Sequence, residues 1–190
     1  MIRKIKRVMY VPLFLYHKFY RNISDYWGSM LVKKYSHSST IIRKFKDADL
    51  KKVLEIFEAC FGNKNYQQIV KYSKQFRNIL YIYEINGTII GYVGYYVHQK
   101  YVNLKRVHVA TLYSIAVDTP YRDKGYGSQL LKESIKEMQN NTISSVNLYV
   151  NIKNKEAVSL YQKNGFVKIE TLKDICGLGN DCYKMRLDLK

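Results

Sequence analysis

The sequence predicts an α/β domain. From residue 41 to the end, stretches with the two-residue alternation of strands take turns with stretches of helical period. Asn86-Gly87 lies between two apolar, aromatic runs and marks a two-residue hairpin, because both residues accept the positive φ of such a turn. A long apolar strand, "VHVATLYSIAVD" (107–118), runs through "TPYRDKGYG" into a helical pattern, so a glycine-containing turn stands at a helix mouth.

Residues 1–40 differ in character from the rest. They hold eight basic residues (Arg3, Lys4, Lys6, Arg7, Lys18, Arg21, Lys33, Lys34) and one acid, Asp25, so 8 − 1 = +7. After Pro12, which suits a first helical turn, Leu13, Tyr16, Tyr20, Ile23, Trp27 and Met30 recur at steps of three and four. "SHSST" (36–40) reads as a linker. The domain follows: "TIIRKF" as a strand, then "DADLKKVLEIFEACF" as an amphipathic helix with Asp47 as its N-cap. "QQIVKYSKQF" is a second helix and 78–97 the hairpin. After the 107–118 strand, "GYGSQLLKESIKEM" places Leu130, Leu131, Ile135 and Met138 on one helical face. "SSVNLYVNI" is a strand, "NKEAVSLYQKNG" a helix ended by Gly165, and "FVKIETL" and "DCYKMRLDL" are the last two strands.

With 190 residues, the chain suffices for one domain and a modest extension. Hydrophobic and aromatic contents of 47% and 14% exclude wholesale disorder. The net charge of +17 favours anionic partners without choosing among them. The basic residues are scattered and form no nucleic-acid motif, so no nucleic-acid partner is expected. Cys60, Cys176 and Cys182 are an odd count without a close pair, which predicts thiols in a reducing, cytoplasmic compartment; Cys176 and Cys182 sit near enough to meet across a turn, but idle thiols are the expectation. No stretch reaches the ~20 apolar residues of a membrane span. The start imitates a signal peptide but lacks a small-residue cleavage site, and reads as retained. Its stripe has three possible burial sites: the chain's own domain, a second subunit in a homodimer, or a membrane interface contacted through residues 1–36. No metal is called for.

The glycine pair Gly125 and Gly127 has two readings, a turn that only glycine can make and a cradle for phosphate. A helix N-terminus offers free N–H groups and partial positive charge, and Arg122 and Lys124 add to it. The stretch "SIAVDTPYRDKGYGSQLL" resembles motif A of the GCN5-related N-acetyltransferase (GNAT) superfamily, with Arg122-Asp123-Lys124-Gly125-Tyr126-Gly127 as its core. Downstream, "NLYVNIKNKEAVSLYQKNGFVKI" resembles motif B. The resemblance covers 41–190, about four-fifths of the chain, and leaves 1–40 as a basic helical extension. It implies the GNAT fold: a mixed, mostly antiparallel sheet flanked by helices.

It also implies acetyl-CoA as co-substrate and acetyl transfer to an amine. The pantetheine arm would lie along Ile115, Ala116 and Val117. The pyrophosphate would sit on the loop from Arg122 through Gly127, with Ser128 opening the helix, and Asn154, Ala157 and Tyr161 would face the cofactor. Tyr161 matches the phenol that protonates the leaving thiolate. The family's glutamate bases have no match here: "VATLY" offers Thr111 and Tyr113, and "LYVN" puts Tyr149 where "LEVR" carries a carboxylate. A water held by Tyr149, Thr111 or backbone carbonyls is the expected proton route; His98 and His108 read as structural. The acceptor pocket is expected from "CFGNKNYQQ" (60–68), the basic "HQKYVNLKR" (98–106) and the tail strand. Peptide or protein amines and small amines such as amino sugars remain open, as does a non-catalytic acetyl-CoA-binding module.

Overall fold

The computed structural model describes residues 26–62 and 66–189, with the side chain of Tyr66 excepted. The sequence stripe's Leu13, Tyr16, Tyr20 and Ile23 lie outside the described residues. The strands are β1 (Ile42–Lys44), β2 (Leu80–Ile85), β3 (Thr88–Val102), β4 (Lys105–Val117), β5 (Ile143–Asn151), β6 (Val167–Leu172) and β7 (Cys182–Asp188). They form one sheet in the order β1-β2-β3-β4-β5-β7-β6. Every pairing is antiparallel except β4 with β5, so the sheet is mixed and mostly antiparallel. The helices are α1 (26–32), α2 (Leu50–Phe61), α3 (Tyr66–Gln75), α4 (Tyr126–Asn140) and α5 (Lys155–Lys163).

Strand alternation divides the core in two. Leu80, Ile82 and Tyr92 turn to the face packed by Val53, Ile56 and Phe57 of α2. Their neighbours Tyr81, Tyr83 and Val93 turn into the larger cluster, with Leu130, Leu131 and Met138 of α4 and Val158 and Tyr161 of α5. Two of the three most deeply buried tyrosines, one in each cluster, use their hydroxyls: Tyr95 bonds Ser134 at 2.7 Å, and Tyr92 bonds Ser114 at 2.8 Å. The Asn86-Gly87 turn has φ of 50° and 76°, as the hairpin requires.

Four local expectations are corrected. Asp47 caps nothing: a 3-10 turn over Asp47–Asp49 precedes α2, and it is Asp49 that folds back, accepting the Lys46 N–H at 2.7 Å and both guanidinium nitrogens of Arg43 at 2.7 and 3.0 Å. The serine stretch is a strap across α4 and not a free linker. Glu137, buried, accepts the N–H groups of Ser38 and Ser39 at 2.9 and 2.8 Å and the Ser38 hydroxyl at 2.8 Å. Burial alone would raise its carboxyl; these donors, with His37 beside it, hold it below the usual range. Cys176 and Cys182 are joined in a disulfide that ties the β6–β7 loop to the start of β7, leaving Cys60 as the free thiol.

The fourth concerns α1. Gly28 lies against the Val97 carbonyl, where a Cβ would collide, and Val32 is buried. Trp27 and Met30 of the apolar stripe are 59% and 41% exposed. The helix therefore docks on the domain through its small-residue side, and the described end of the stripe faces away from it.

Candidate active site

The parallel pairing of β4 with β5 stops early. It runs from His108↔Ile143 to Leu112↔Leu148, and β4 then continues to Val117 paired only with β3, while β5 pairs with β7. The two central strands thus fork. A bulge marks the fork: Gly94 faces Ser114 and Tyr95 faces Leu112, so Tyr113 is the extra residue. Its ring occupies the space where a Cβ on Gly94 would be, and stacks edge-on against Tyr72 at 4.9 Å. Residues 113–117, including Ile115, Ala116 and Val117, present a strand edge to the open side of the fork, where an extended ligand can pair.

The loop that follows is shaped by its own side chains. Asp118 accepts the Thr119 N–H at 2.9 Å and pairs with Lys52 at 2.7 Å. Arg122 turns back, donating to the Val117 carbonyl at 3.1 Å and to Cys60 Sγ at 2.9 Å. Burial pushes the Cys60 thiol up, against the pull of Arg122. Lys124 donates to the Pro120 carbonyl at 3.1 Å. Both cations brace the loop, so what it offers to an anion is its backbone. Asp123 and Gly125 have φ of 61° and 81°, and Gly125 is the residue immediately before α4. A Cβ on Gly125 would meet nothing within 4 Å, so the loop leaves a cradle beside the free N–H groups of the first helical turn. Tyr126 packs edge-on against Tyr83 at 5.6 Å, and Ser128 accepts from Asn164 at 3.4 Å, tying α4 to the end of α5. These features fit a pyrophosphate and an extended thioester arm.

Two sides of the fork carry different chemistry. On the larger core's side, Tyr161 of α5 is 6% exposed and stacks edge-on with Phe166 at 5.7 Å. Burial pushes its hydroxyl up to about 12, so it is a neutral proton donor at ordinary pH. Asn154 caps α5, accepting the Ala157 N–H at 3.0 Å. On the opposite face, Thr111 is buried and pairs across to Asn147 of β5, which stands two residues before Tyr149, itself 45% exposed. Tyr161 thus lies on one side of the sheet, and Thr111 and Tyr149 on the other.

A cavity also opens beside β4, in part from the stretch expected to form an acceptor pocket. It measures about 130 Å3 and lies between α2, α3 and β4, lined by Phe57, Phe61, Gln68, Ile69, Tyr113 and Ser114. Phe61 and Gln68 belong to the stretch expected to build the pocket, whose residues 63–65 lie outside the described ones. Phe57, Ile69 and Ser114 are additions; the isolated Gly94 within a strand was the signal that a bulge reshapes this wall. His98 is a poor base: burial first, then Lys100's charge, push it down to about 4. His108 is likewise lowered by burial and Arg106. Among the described residues no cluster of His, Cys, Asp and Glu could hold a metal, and no helix is long and apolar enough to cross a membrane.

Comparison with known proteins agrees with this geometry. Residues 50–166 match the acetyltransferase (GNAT) family. The N-alpha-acetyltransferase of Sulfolobus acidocaldarius is 30% identical over 148 residues, 75% of this chain and 88% of that protein. The crystal structure of Ard1 from Thermoplasma volcanium superposes with a TM-score of 0.66 at 23% identity, over 78% of this chain and 97% of that one. The NatC complex, solved with a Gag peptide and CoA, superposes with a TM-score of 0.67 at 18% identity, over 79% of this chain and 98% of that one. Matched along most of its domain in sequence and fold, the chain belongs to the acetyltransferase (GNAT) family and is an acetyl-CoA-dependent N-acetyltransferase.

Proposed function

We propose that this enzyme acetylates the N-terminal α-amine of a peptide or protein, with Tyr161 as general acid and no carboxylate base. The observation that carries the reading is the fork with its two unlike faces: a buried, neutral phenol on one side, and polar, uncharged Thr111 and Tyr149 on the other. The α-amine activity named for the archaeal relative supports the same acceptor class.

Acetyl-CoA supplies an acetyl group activated as a thioester. The loop Arg122–Gly127 and the first turn of α4 hold the pyrophosphate, and the edge of β4 from 113 to 117 aligns the arm. Backbone N–H groups on that edge are donors for an oxygen that gains charge as the amine attacks. Tyr161 donates its phenolic proton to the departing sulfur. On the acceptor face Thr111, which is buried, and Tyr149, half in solvent, orient a water that carries the amine's proton outward. The cavity beside Tyr113 and Ser114 takes the acceptor's first side chain.

Thiol release from acetyl-CoA, followed across peptides with free and blocked α-amines, lysine side-chain amines and amino sugars, tests the assignment. Turnover confined to free α-amines is expected. Faster turnover of an amino sugar than of every peptide would refute it.

A further inference from the structure

A second cavity, of about 140 Å3, opens on the same face as Thr111, farther along β4 and β5 from the fork. Lys100, Ser145, Asn147 and Arg186 line it. Three cations gather at its rim: Lys100 of β3, and Lys184 and Arg186 of β7. Arg186 is engaged by Asp188 and Lys184 loosely by Glu170 at 3.7 Å, whereas Lys100 has no carboxylate partner among the described residues. Burial, then the charges of Lys184 and Arg186, hold the Lys100 ammonium below its usual value, as expected where an anion would relieve the crowding. Ser145 Oγ, in the cavity wall, is buried without a hydrogen-bond partner among the described residues. A buried hydroxyl without a partner, beside a lysine without a carboxylate, is the complement of a carboxylate.

Register places this trough relative to the reacting amine. Asn147 faces Thr111 across the β4–β5 pairing, and Ser145 precedes Leu148, the last paired residue at the fork, by three positions. At ~3.3 Å per residue, the trough begins within roughly 10 Å of the fork. An extended peptide with its amine at the fork reaches that distance with its second or third side chain. We propose that the Lys100–Arg186 trough binds an acidic side chain at position two or three of the acceptor, making the enzyme selective for acidic N-terminal segments. The inference rests on the α-amine reading above.

The test uses the full chain and peptides identical except for Glu, Gln or Lys at positions two and three. The Glu peptide is expected to exceed the Gln peptide in kcat/KM by about tenfold, the effect of one charge-assisted hydrogen bond at a partly exposed site. Lys100→Glu should abolish or invert that preference, and Arg186→Gln should weaken it. Lys100→Glu lowers the net charge only from +17 to +15 (17 − 2), so a preference due to the chain's general field would survive it. Survival of the preference, or its absence in the wild type, overturns the trough. Failure of every peptide to be acetylated sinks the α-amine reading instead. Calorimetry on the CoA complex then decides the trough separately: tighter binding of the Glu peptide, lost in Lys100→Glu, upholds it, and equal binding of all three peptides overturns it.

Discussion

Gly125→Asn separates the two readings of the glycine pair, a turn only glycine can make and a cradle for phosphate. Gly125 has φ of 81°, which strains most L-residues, but asparagine visits this region readily. Its added Cβ meets nothing within 4 Å, so no clash threatens the fold. The expected stability loss is about 0.5–1 kcal/mol, a fall in Tm of roughly 1–4 °C for a chain this size. The same side chain fills the cradle and keeps a pyrophosphate off the helix N-terminus. Losing one hydrogen bond to a charged group costs about 1.5–3 kcal/mol, which weakens acetyl-CoA binding about 10- to 150-fold. Gly127→Ala is the matched control. Its Cβ lies 3.8 Å from Val117 Cγ2, an ordinary contact, and alanine favours the helix by up to about 1 kcal/mol. It should fold and melt slightly higher, so any affinity it loses belongs to the crowded loop and not to unfolding. Circular dichroism, thermal melts and calorimetry read all three quantities. A folded Gly125→Asn protein with unchanged affinity for acetyl-CoA would refute the cradle.

Tyr161→Phe should lower kcat by roughly ten- to a thousandfold, the range for one general acid, with acetyl-CoA affinity little changed; steady-state kinetics that match the wild type would make Tyr161 packing only. Because burial raises the Tyr161 hydroxyl to about 12 in the folded state, its contribution to stability is whole below pH ~10, the unfolded value, and is lost as pH rises toward 12; activity should show no alkaline limb below pH ~10 from this group. Single Glu→Gln and Asp→Asn substitutions should leave the rate within about tenfold, and one that abolishes turnover in a folded, cofactor-binding protein would expose a base. Glu137→Ala should cost about 2–4 kcal/mol, since the Ser38 and Ser39 N–H groups lose their acceptor. The Glu137 carboxyl is held low in the folded state, so its contribution is present above the ordinary carboxylate range and fades as pH falls through it; thermal melts at pH 7 and pH 3 should show the variant's deficit shrinking in acid.

Much of the fold was legible because its signals are local. Period and turn chemistry located the strands and helices, and Asn86-Gly87 and Gly125 adopt the positive φ that their residue types favour. The fork after Leu112 was not legible, since where a parallel pairing ends is decided between strands some thirty residues apart. The bulge at Tyr113 was signalled only by Gly94 on the neighbouring strand. The serine strap looked like a linker because its partner, Glu137, is about a hundred residues away, and nothing in "SHSST" names it. The disulfide escaped for the reverse reason: spacing allows a turn to close, but only the fold of the β6–β7 loop brings Cys176 to Cys182. On α1, periodicity did not show which side docks: Gly28, which allows close approach to the Val97 carbonyl, decides which side meets the domain.

On the proposed reading, a site without a carboxylate base and a face carrying cations act in one electrostatic direction. An amine must be neutral to attack, and a site without a base depends on the neutral fraction that arrives. An α-amine, with an ordinary pKa near 7.8, is about 30% neutral at pH 7.4, whereas a lysine amine near 10.4 is only about 0.1% neutral. The ratio, about 300, corresponds to roughly 3.4 kcal/mol in favour of the α-amine before any contact is made. Lys100, Lys184 and Arg186 push further in the same direction, because like charge disfavours the ammonium form of whatever amine approaches this face. A glutamate beside Thr111 would erase part of that discrimination by helping any amine shed its proton. On that reading, polar but uncharged Thr111 and Tyr149, cations beyond them and a buried phenol suit a catalyst that takes its acceptor already partly neutral and spends its own proton on the leaving sulfur.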